Sequence, residues 1–524
     1  MSTRLKISTV VCFISFNLYL TSGARILGVF PTPSISHQVV FRPLVQELVK
    51  RGHEVTVITT DPAFKPGQAP TNLTEIDVHD LSYKIWINAL EEMKTGIEDD
   101  DVYSQIQVVI ISMSKVFEAQ IATDEVQKII TKKKGQFDLL LLEAFIKPTL
   151  AFTHVFNVPT IQISSFGGLQ YNFEVVGAPL HPLLYPTIVS QRIYNLSSFE
   201  KLQQLYKLLK INRFYDLAEQ DDDKLLKKIF GPDIPSLRDL THNVHMLFLN
   251  FHPMWSNNQP VPPSVVCIRG IHNDQQKELP KDLNDLLNKS KHGVIYFSFG
   301  TNVRPSIMPQ KKVQMMIKVF SELPYDVIWK WDLDSMPGKS DNIKLYKWLP
   351  QSDLLRHPKI KLFITQGGLQ STDEAIDAGV PLIGIPLLGD QWYNTEKYQY
   401  HKIGVKLDMP SLTEEIFKNA IVTVISDRSY RENIIRLRNI FRDEPQTPLE
   451  RAVWWTEYVL RHGGAKHLRA AGANISWTQY LEIQLIVIVL PVLLFVILLF
   501  VWVLKFLKHF VREIIGSMIK IKTN

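Results

Sequence analysis

Short apolar strands alternate with amphipathic helices from residue 25 onward, and this alternation constrains the fold more than any other feature of the chain. Residues 25–30 are predicted as a buried strand, and residues 37–51 carry apolar side chains at helical spacing before a second strand at 54–60. Further strands are predicted at 137–142 and 160–164. This succession favours a parallel sheet covered by helices, because parallel neighbours need a crossover connection. Such sheets bind ligands beyond the carboxyl ends of their strands.

The same alternation restarts after a connection rich in proline. Residues 252–290 hold five prolines among polar residues, with one short predicted strand at 264–271. Beyond it the pattern predicts strands at 293–298, 326–331, 343–346, 360–365 and 382–385. We therefore expect two α/β domains, residues 25–271 and residues 272–480, the second one closing with terminal helices.

The first 24 residues are typical of a cleaved secretory signal peptide. Arg4 and Lys6 precede an apolar stretch, and small residues follow it. Cleavage would remove Cys12 and leave Cys267 without a partner, so no disulfide within the chain is expected. Four glycosylation sequons are compatible with a luminal chain, and their asparagines are Asn72, Asn195, Asn288 and Asn474.

An uninterrupted apolar run at 485–504 predicts a transmembrane helix, because about 20 residues span a bilayer. The tail 505–524 is basic, and the positive-inside rule then places residues 25–480 in the lumen or outside. Lys520 and Lys522 resemble the dilysine retrieval signal of endoplasmic reticulum membrane proteins, although lysines are common in short tails. The expected protein is a single-pass type I protein of that membrane.

The net charge of +6 does not indicate a nucleic-acid partner. The signal segment and the tail 505–524 contribute this excess, whereas residues 25–504 carry 51 basic and 51 acidic side chains. Binding to a phosphate backbone needs several uncompensated lysines or arginines on one surface. The neutral body therefore favours a small-molecule ligand over nucleic acid.

Polar residues and glycines concentrate between positions 348 and 391. A strand there ends in Gly367 and Gly368, whose missing side chains allow a close backbone approach to a ligand. The helix that follows offers N–H groups and a positive dipole end, which suit a diphosphate. Glu374, in the first helical turn, can accept both hydroxyls of a ribose, and Trp348 can stack on a flat base.

The ordered set resembles the nucleotide-sugar signature of the UDP-glycosyltransferase (UDP-glucuronosyltransferase-like) family, and within it the insect-type members. The resemblance implies the GT-B fold, with two Rossmann-like domains whose parallel sheets face a cleft. It implies that Trp348 and Gln351 hold uracil and that Glu374 holds ribose. It further implies a diphosphate and sugar site built from Thr301, Gln366, Gly367, Gly368, Gln370, Ser371, Asp390 and Gln391.

The resemblance also gives roles to two residues of the first domain. His37 matches the base that deprotonates the acceptor, and Glu143 matches the carboxylate that orients this base. Two departures from the common pattern stand out, because many members have His in place of Gln366 and Asp in place of Glu143. Glutamine donates a neutral hydrogen bond only, so weaker nucleotide binding is expected.

The implied reaction moves a sugar from a UDP-sugar to a hydroxyl of a small lipophilic acceptor, with inversion and without a metal, as in detoxification. Glucose is favoured over glucuronic acid, because Gln259 stands where glucuronate-using relatives often have Arg. A non-catalytic binding protein is the second alternative. Oligomeric state stays open, and no cofactor besides the UDP-sugar co-substrate is implied.

Two metal-binding patterns are weighed as rivals. Asp332 and Asp334 form the Asp-x-Asp pair that metal-dependent glycosyltransferases use. Three histidines, His242, His245 and His252, lie around one strand but lack a fourth ligand for zinc. Neither pattern has the sequence context that its metal site requires.

Overall fold

The computed structural model describes residues 23–92, 102–131, 135–273 and 276–522. The chain divides into two compact units, one up to Ala470 and one from Ala471 onward. Residues 1–22 of the predicted signal peptide, with Cys12, lie outside the described residues, as do the last two residues of the tail.

The first unit contains a sheet of seven parallel strands in the order β3-β2-β1-β4-β5-β6-β7. Five of them fall at or near the predicted strands, and β6 is the strand around which His242, His245 and His252 lie. The edge strand β3 was not predicted, because its short sequence Leu-Thr-Glu-Ile-Asp is largely polar. The strands are β1 (Arg25–Phe30), β2 (Glu54–Thr59), β3 (Leu73–Asp77), β4 (Leu139–Glu143), β5 (Thr160–Ser164), β6 (Val244–Leu249) and β7 (Val265–Cys267).

A second sheet in the same unit has six parallel strands in the order β10-β9-β8-β11-β12-β13. Its first five strands match the predicted ones within two residues, and the three-residue β13 was missed. The strands are β8 (Val294–Ser298), β9 (Asp326–Lys330), β10 (Ile343–Tyr346), β11 (Ile360–Thr365), β12 (Leu382–Gly384) and β13 (Gly404–Lys406). The two-sheet α/β prediction is thus confirmed.

Helices cover the two sheets and fill the connections between strands. In the first half they span Ile35–Lys50, His79–Glu92, Val102–Ile121, Asp124–Thr131, Ala151–Phe156, Gln170–Val176, Ser198–Phe230 and Leu237–Leu240. In the second half they span Lys281–Lys289, Gln310–Ser321, Gln351–Leu355, Leu369–Ala378, Gln391–Tyr400, Glu414–Ser426, Arg428–Arg442 and Pro448–Arg461.

The helix Ile35–Lys50 follows the spacing predicted for residues 37–51. Its apolar side chains at this spacing are buried against the first sheet, and they are Val40, Phe41, Leu44, Val45, Leu48 and Val49. The helix Pro448–Arg461 joins the same core, where Ala452, Val453 and Val459 have no more than 1% of their surface exposed. The expected division assigned this helix to the second domain by its position in the chain. Its apolar face instead packs on the first sheet, so the polypeptide crosses back between the domains near its end.

The second unit contains the short helix Trp477–Tyr480 and the long helix Ile483–Lys522. The long helix includes the predicted span 485–504 and continues as helix through most of the basic tail. It is long and apolar enough to cross a membrane and fits a membrane anchor. The helices Val102–Ile121 and Asp124–Thr131 pass the same test only as a bent pair, and they are largely packed into the first unit's core.

Candidate functional site

Both sheets reverse their strand order at one point, between β1 and β4 in the first sheet and between β8 and β11 in the second. Ligands bind at such switch points, beyond the carboxyl ends of the strands. The loops that leave these ends line one cavity of about 440 Å³. Its walls come from both halves of the unit, including His37 and Phe145 on one side and Thr301 and Gln366 on the other.

His37 and Glu143 meet at the first switch point. His37 lies in the first turn of the helix Ile35–Lys50, and Glu143 is the last residue of β4. The imidazole Nδ1 lies 2.8 Å from Glu143 Oε1, and the backbone N–H of Thr32 donates to Glu143 Oε2 over 3.1 Å. The glutamate side chain is fully buried, whereas 14% of the His37 side chain is exposed. The longer glutamate therefore reaches the histidine, and Asp138, paired with Arg25, is not needed for this contact.

Aromatic rings and one carboxyl group surround the histidine on its cavity side. The rings of Phe166 and Phe145 lie 5.4 and 6.1 Å from the imidazole, centre to centre. Burial raises the pKa of Asp390 to about 6, against a smaller opposing effect of the Asn394 amide that donates to it. The His37 ring thus faces an apolar wall with an acid close by.

Gln351, Ser371 and Glu374 form a hydrogen-bonded group on the opposite wall. The Gln351 amide Nε2 donates to Ser371 Oγ over 2.9 Å and to Glu374 Oε2 over 2.7 Å. The hydroxyl of Tyr296 donates to the Gln351 oxygen over 2.9 Å. Burial raises the pKa of Glu374 to about 7, and the Gln351 amide partly opposes this shift. Three of the predicted nucleotide-binding side chains are therefore brought into contact.

Two glycines in left-handed conformation shape the turns after β8 and β11. Gly300 has φ +72°, and a Cβ there would lie 2.4 Å from the Gln366 amide nitrogen. Gly367 has φ +92°, and a Cβ there would lie 2.7 Å from the methyl group of Thr395. Any side chain at these positions would be strained and would also clash. Gln366 packs against the Gly300 backbone, and its buried Oε1 has no hydrogen-bond partner among the described residues.

Gln370 and Gln391 use their side chains within the protein. The Gln370 amide donates to the Ser165 carbonyl over 2.8 Å, which joins the second sheet's helix to a loop of the first sheet. The Gln391 oxygen accepts from the backbone N–H groups of Leu387 and Leu388, each over 2.8 Å. Both residues line the cavity, as do Thr301, Gly368 and Trp348. Their predicted contacts with phosphate and sugar stay predictions.

Lys330 is a cavity residue that the sequence interpretation missed. Its ammonium lies 4.6 Å from the centre of the Trp348 ring and donates to the Gly300 carbonyl over 2.8 Å. Burial lowers the pKa of Lys330 to about 8. Among the described residues that line the cavity, it is the single lysine or arginine. A lysine at the carboxyl end of strand β9, the edge at which ligands bind, was the available signal.

An ion-pair network with Arg269 holds the helix Leu369–Ala378 in place. The Arg269 Nε lies 2.7 Å from Asp373 Oδ1, and Arg269 Nη1 lies 3.3 Å from Asp377 Oδ1. All three side chains are more than 90% buried. Arg269 follows β7 of the first sheet, so the network also joins the two halves of the unit.

Side chains of the two candidate metal-binding patterns make hydrogen bonds or ion pairs within the protein. Asp332 accepts hydrogen bonds from Ser306, and Asp334 pairs with Lys347 at the surface. His245 accepts from the Ala465 N–H, and His252 accepts from Met254 at the start of a short helix. Within the described ranges no group of three or more metal-ligating side chains occurs.

The sequons differ in their surroundings. Asn195 and Asn288 are exposed. The Asn72 amide donates to the carbonyls of Val49 and His53, so a glycan there, which replaces one N–H of this amide, would remove at least one of the two hydrogen bonds. Asn474 is partly buried in the second unit.

Comparison with known proteins identifies the family. Residues 25–520 match the family model described as "UDP-glucoronosyl and UDP-glucosyl transferase". An ecdysteroid UDP-glucosyltransferase of Spodoptera littoralis nuclear polyhedrosis virus is 34% identical over 93% of this chain and 97% of its own length. Human UDP-glucuronosyltransferase 2B15 is 30% identical over 93% of this chain and 94% of its own length.

Solved structures agree on the fold. The Arabidopsis thaliana protein UGT89C1, solved with UDP-L-rhamnose, covers 84% of this chain and 99% of its own length, with a TM-score of 0.55 and 14% identity. The two parallel sheets and their shared cleft are those of the GT-B fold. The chain belongs to the UDP-glycosyltransferase family, and it is an enzyme that transfers a sugar from a UDP-sugar donor.

Proposed function

We propose that the enzyme transfers glucose from UDP-glucose, with inversion, to a hydroxyl group of a small lipophilic acceptor. The observation that carries this proposal is the His37–Glu143 pair, which lines the same cavity as the hydrogen-bonded group around Gln351 and Glu374. The same cavity thus holds a base that can deprotonate the acceptor substrate and hydrogen-bonding groups that can bind the nucleotide of the UDP-sugar.

The proposed reaction is a single displacement. Because Nδ1 of His37 is engaged by Glu143, Nε2 is the nitrogen that accepts the hydroxyl proton. The acceptor oxygen forms its bond to the anomeric carbon as the bond from that carbon to the UDP oxygen breaks, which inverts the configuration. Glu143 stabilises the imidazolium that forms, and its own position is held by the Thr32 N–H.

The negative charge that develops on UDP is assigned to groups of the second sheet. The helix Leu369–Ala378 directs its N-terminal N–H groups toward the turn at Gly367 and Gly368. Lys330 supplies a positive charge near Trp348, where the base is expected to stack. These dipoles and this cation are the means by which we expect charge stabilisation without a metal.

Two observations support glucose over glucuronic acid. The cavity lining includes Asp353, Glu374 and Asp390, and Lys330 is the single lysine or arginine among the described lining residues, which disfavours a donor with an extra carboxylate. Gln259, on which the sequence argument for glucose rests, donates to the Pro179 carbonyl and does not line the cavity, so its position adds no support. Several relatives, including the viral one described above, carry the name UDP-glucosyltransferase. Glucuronic acid remains the alternative donor sugar, as the name of the human relative indicates.

The acceptor side of the cavity supports a lipophilic substrate with a rigid ring system. Its lining is largely apolar and aromatic, and includes Trp86, Ile106, Met113, Phe145, Phe166 and Tyr215. The viral relatives are named for ecdysteroids. We therefore include steroid alcohols and phenols in the proposed acceptor class.

The proposed location is the endoplasmic reticulum membrane, with the first unit in the lumen. The helix Ile483–Lys522 provides the anchor, and the basic residues after 504 support an orientation with the tail in the cytosol.

Product analysis tests the proposal. Membranes that contain the full chain are incubated with UDP-glucose or UDP-glucuronic acid and a panel of phenols and steroid alcohols, and products are identified by mass spectrometry. We expect hexosides with the β configuration by NMR from UDP-glucose, whose sugar is α-linked. Faster transfer of glucuronic acid, or an α-linked product, would contradict the proposal. UDP binding without turnover across the panel would contradict the proposed acceptor class.

A further inference from the structure

The helix Ser198–Phe230 exposes a stripe of large apolar side chains in its first half. Phe199, Leu202, Tyr206 and Leu209 are 69%, 65%, 68% and 68% exposed. Their spacing of three, four and three residues places them on one face of the helix. We call this surface the apolar stripe. Side chains of this size rarely stay exposed as a contiguous row in a soluble monomer.

Burial differs between the two halves of this helix. The buried apolar side chains, Phe214 and Leu226, lie in its second half, where Tyr215 also lines the substrate cavity. On the side away from the apolar stripe, the first half has partly buried apolar side chains, which are Leu205, Leu208 and Ile211. The first half therefore has a partly buried side and an exposed apolar side. A helix that needed only to cover the core would carry polar residues on that outer face.

Charge along the helix is divided between its two halves. Residues 199–213, which include the apolar stripe, hold four basic side chains and one acid, Glu200. That acid caps the helix with Ser197 and pairs with Arg192. Residues 216–223 hold five acids and no base. Four of the five exposed large apolar residues of this helix thus occur where it is basic, and the fifth, Leu217, is 44% exposed in the acidic half.

We propose that the apolar stripe lies in the surface of a lipid bilayer. An apolar row with lysine and arginine beside it is the composition of helices that lie in the membrane interface, where the ring of Tyr206 is also favoured. Lysine and arginine side chains extend to the headgroups while their stems cover apolar surface. Lipid is the occupant that we favour, because the chain also carries a helix that fits a membrane anchor and so keeps a bilayer nearby.

One consequence, which rests on the proposed function, concerns acceptor entry. Tyr215 lines the cavity six residues beyond Leu209, so the near end of the apolar stripe lies about 9 Å from it along the helix axis, at 1.5 Å per residue. A lipophilic acceptor that partitions into the bilayer would then be concentrated next to its binding site.

Fluorescence quenching in a bilayer tests the proposal. The full chain, with both native cysteines replaced by alanine, is reconstituted into phosphatidylcholine vesicles with about 20% phosphatidylserine. A single cysteine at Leu202→Cys carries an environment-sensitive dye. The matched control is Gln220→Cys, an exposed position on the same helical face five turns further along, in the acidic half. Lipids with a spin label near the headgroup and aqueous iodide serve as the two quenchers.

We expect the dye at position 202 to be quenched severalfold more by the spin-labelled lipid than the dye at position 220, and to be protected from iodide. Equal iodide quenching at both positions would overturn the proposal. Protection at position 202 without lipid quenching would also overturn it, and would point to a protein partner or a second copy of the chain. Because both positions are exposed, the substitutions leave the core unchanged.

Discussion

The two switch points of the first unit share a topology but differ in chemistry. At the first one, beyond β1 and β4, His37 and Glu143 form an ionisable pair, and the backbone N–H of Thr32 fixes the carboxylate of Glu143. At the second one, beyond β8 and β11, amides, glycine turns and a helix N-terminus prevail, with Lys330 and Glu374 as ionisable side chains that are not paired with each other. The difference separates proton transfer from anion binding. Substitutions at the first switch point should therefore change turnover, and those at the second should change nucleotide affinity.

The largest effect short of removing the base is expected for Glu143→Gln. Glutamine keeps the size of the side chain but cannot balance an imidazolium, so kcat should fall by about 100-fold or more. UDP affinity should stay within about twofold in calorimetry. Glu143→Asp serves as the control that retains the charge, and it should keep more activity than Glu143→Gln. Equal kcat values for Glu143→Gln and the native enzyme would contradict the claim that the first switch point serves proton transfer.

Trp348→Ala should weaken UDP binding by about tenfold, because stacking of a base on an aromatic ring contributes about 1–3 kcal/mol. Trp348→Phe retains a ring and should lose less. The ring is 62% exposed, so neither change should alter folding. Titration calorimetry with UDP measures both variants. A variant with normal UDP affinity and reduced kcat would show that the second switch point also serves the chemical step.

The affinity for UDP should fall as the pH falls below about 7. Burial raises the pKa of Glu374 to about 7, so its carboxylate becomes protonated below that value and can no longer accept both ribose hydroxyls. The loss is at most about tenfold per pH unit for one group. Glu374→Gln should bind UDP more weakly at pH 8 and show a flatter profile. The phosphate groups of UDP titrate in the same way with the native enzyme and with Glu374→Gln. Parallel profiles of UDP affinity against pH for the two proteins would therefore exclude Glu374 as the titrating group.

Gln366→His should have the smallest effect. A histidine at this position can become cationic and donate a charge-assisted hydrogen bond, so KM for the UDP-sugar should fall by about threefold at pH 6 and less at pH 8. The position packs on Gly300, and a thermal melt of the variant shows whether the ring is accommodated. An unchanged KM in a stable variant would mean that the Gln366 side chain does not reach the phosphates.

Much of the fold could be predicted because apolar strands and helical spacing are local signals. The edge strands β3 and β13 were missed, since exposed or very short strands carry little apolar pattern. The return of Pro448–Arg461 to the first sheet depends on which apolar face it meets, and position in the chain does not determine this. The His37–Glu143 contact was expected from the family resemblance, and the structure places both side chains together.

Other parts of the site depend on tertiary contacts that no motif records. Gln370 was assigned to phosphate, yet its amide donates to the Ser165 carbonyl across the two halves. Lys330 reaches the Gly300 carbonyl only because β9 lies beside β8. Arg269 and its two aspartates join segments about 100 residues apart. Such pairings become visible only after the chain has folded.

The central claim is that proton transfer and nucleotide binding occupy separate switch points, and His37→Ala tests it most directly. Turnover of the native enzyme and the variant is measured with UDP-glucose and a phenol, and UDP binding is measured by calorimetry on the same samples. We expect turnover to fall by about 100- to 10,000-fold while UDP affinity stays within about twofold. Full turnover in the variant, or loss of UDP binding together with turnover in a folded protein, would contradict the account.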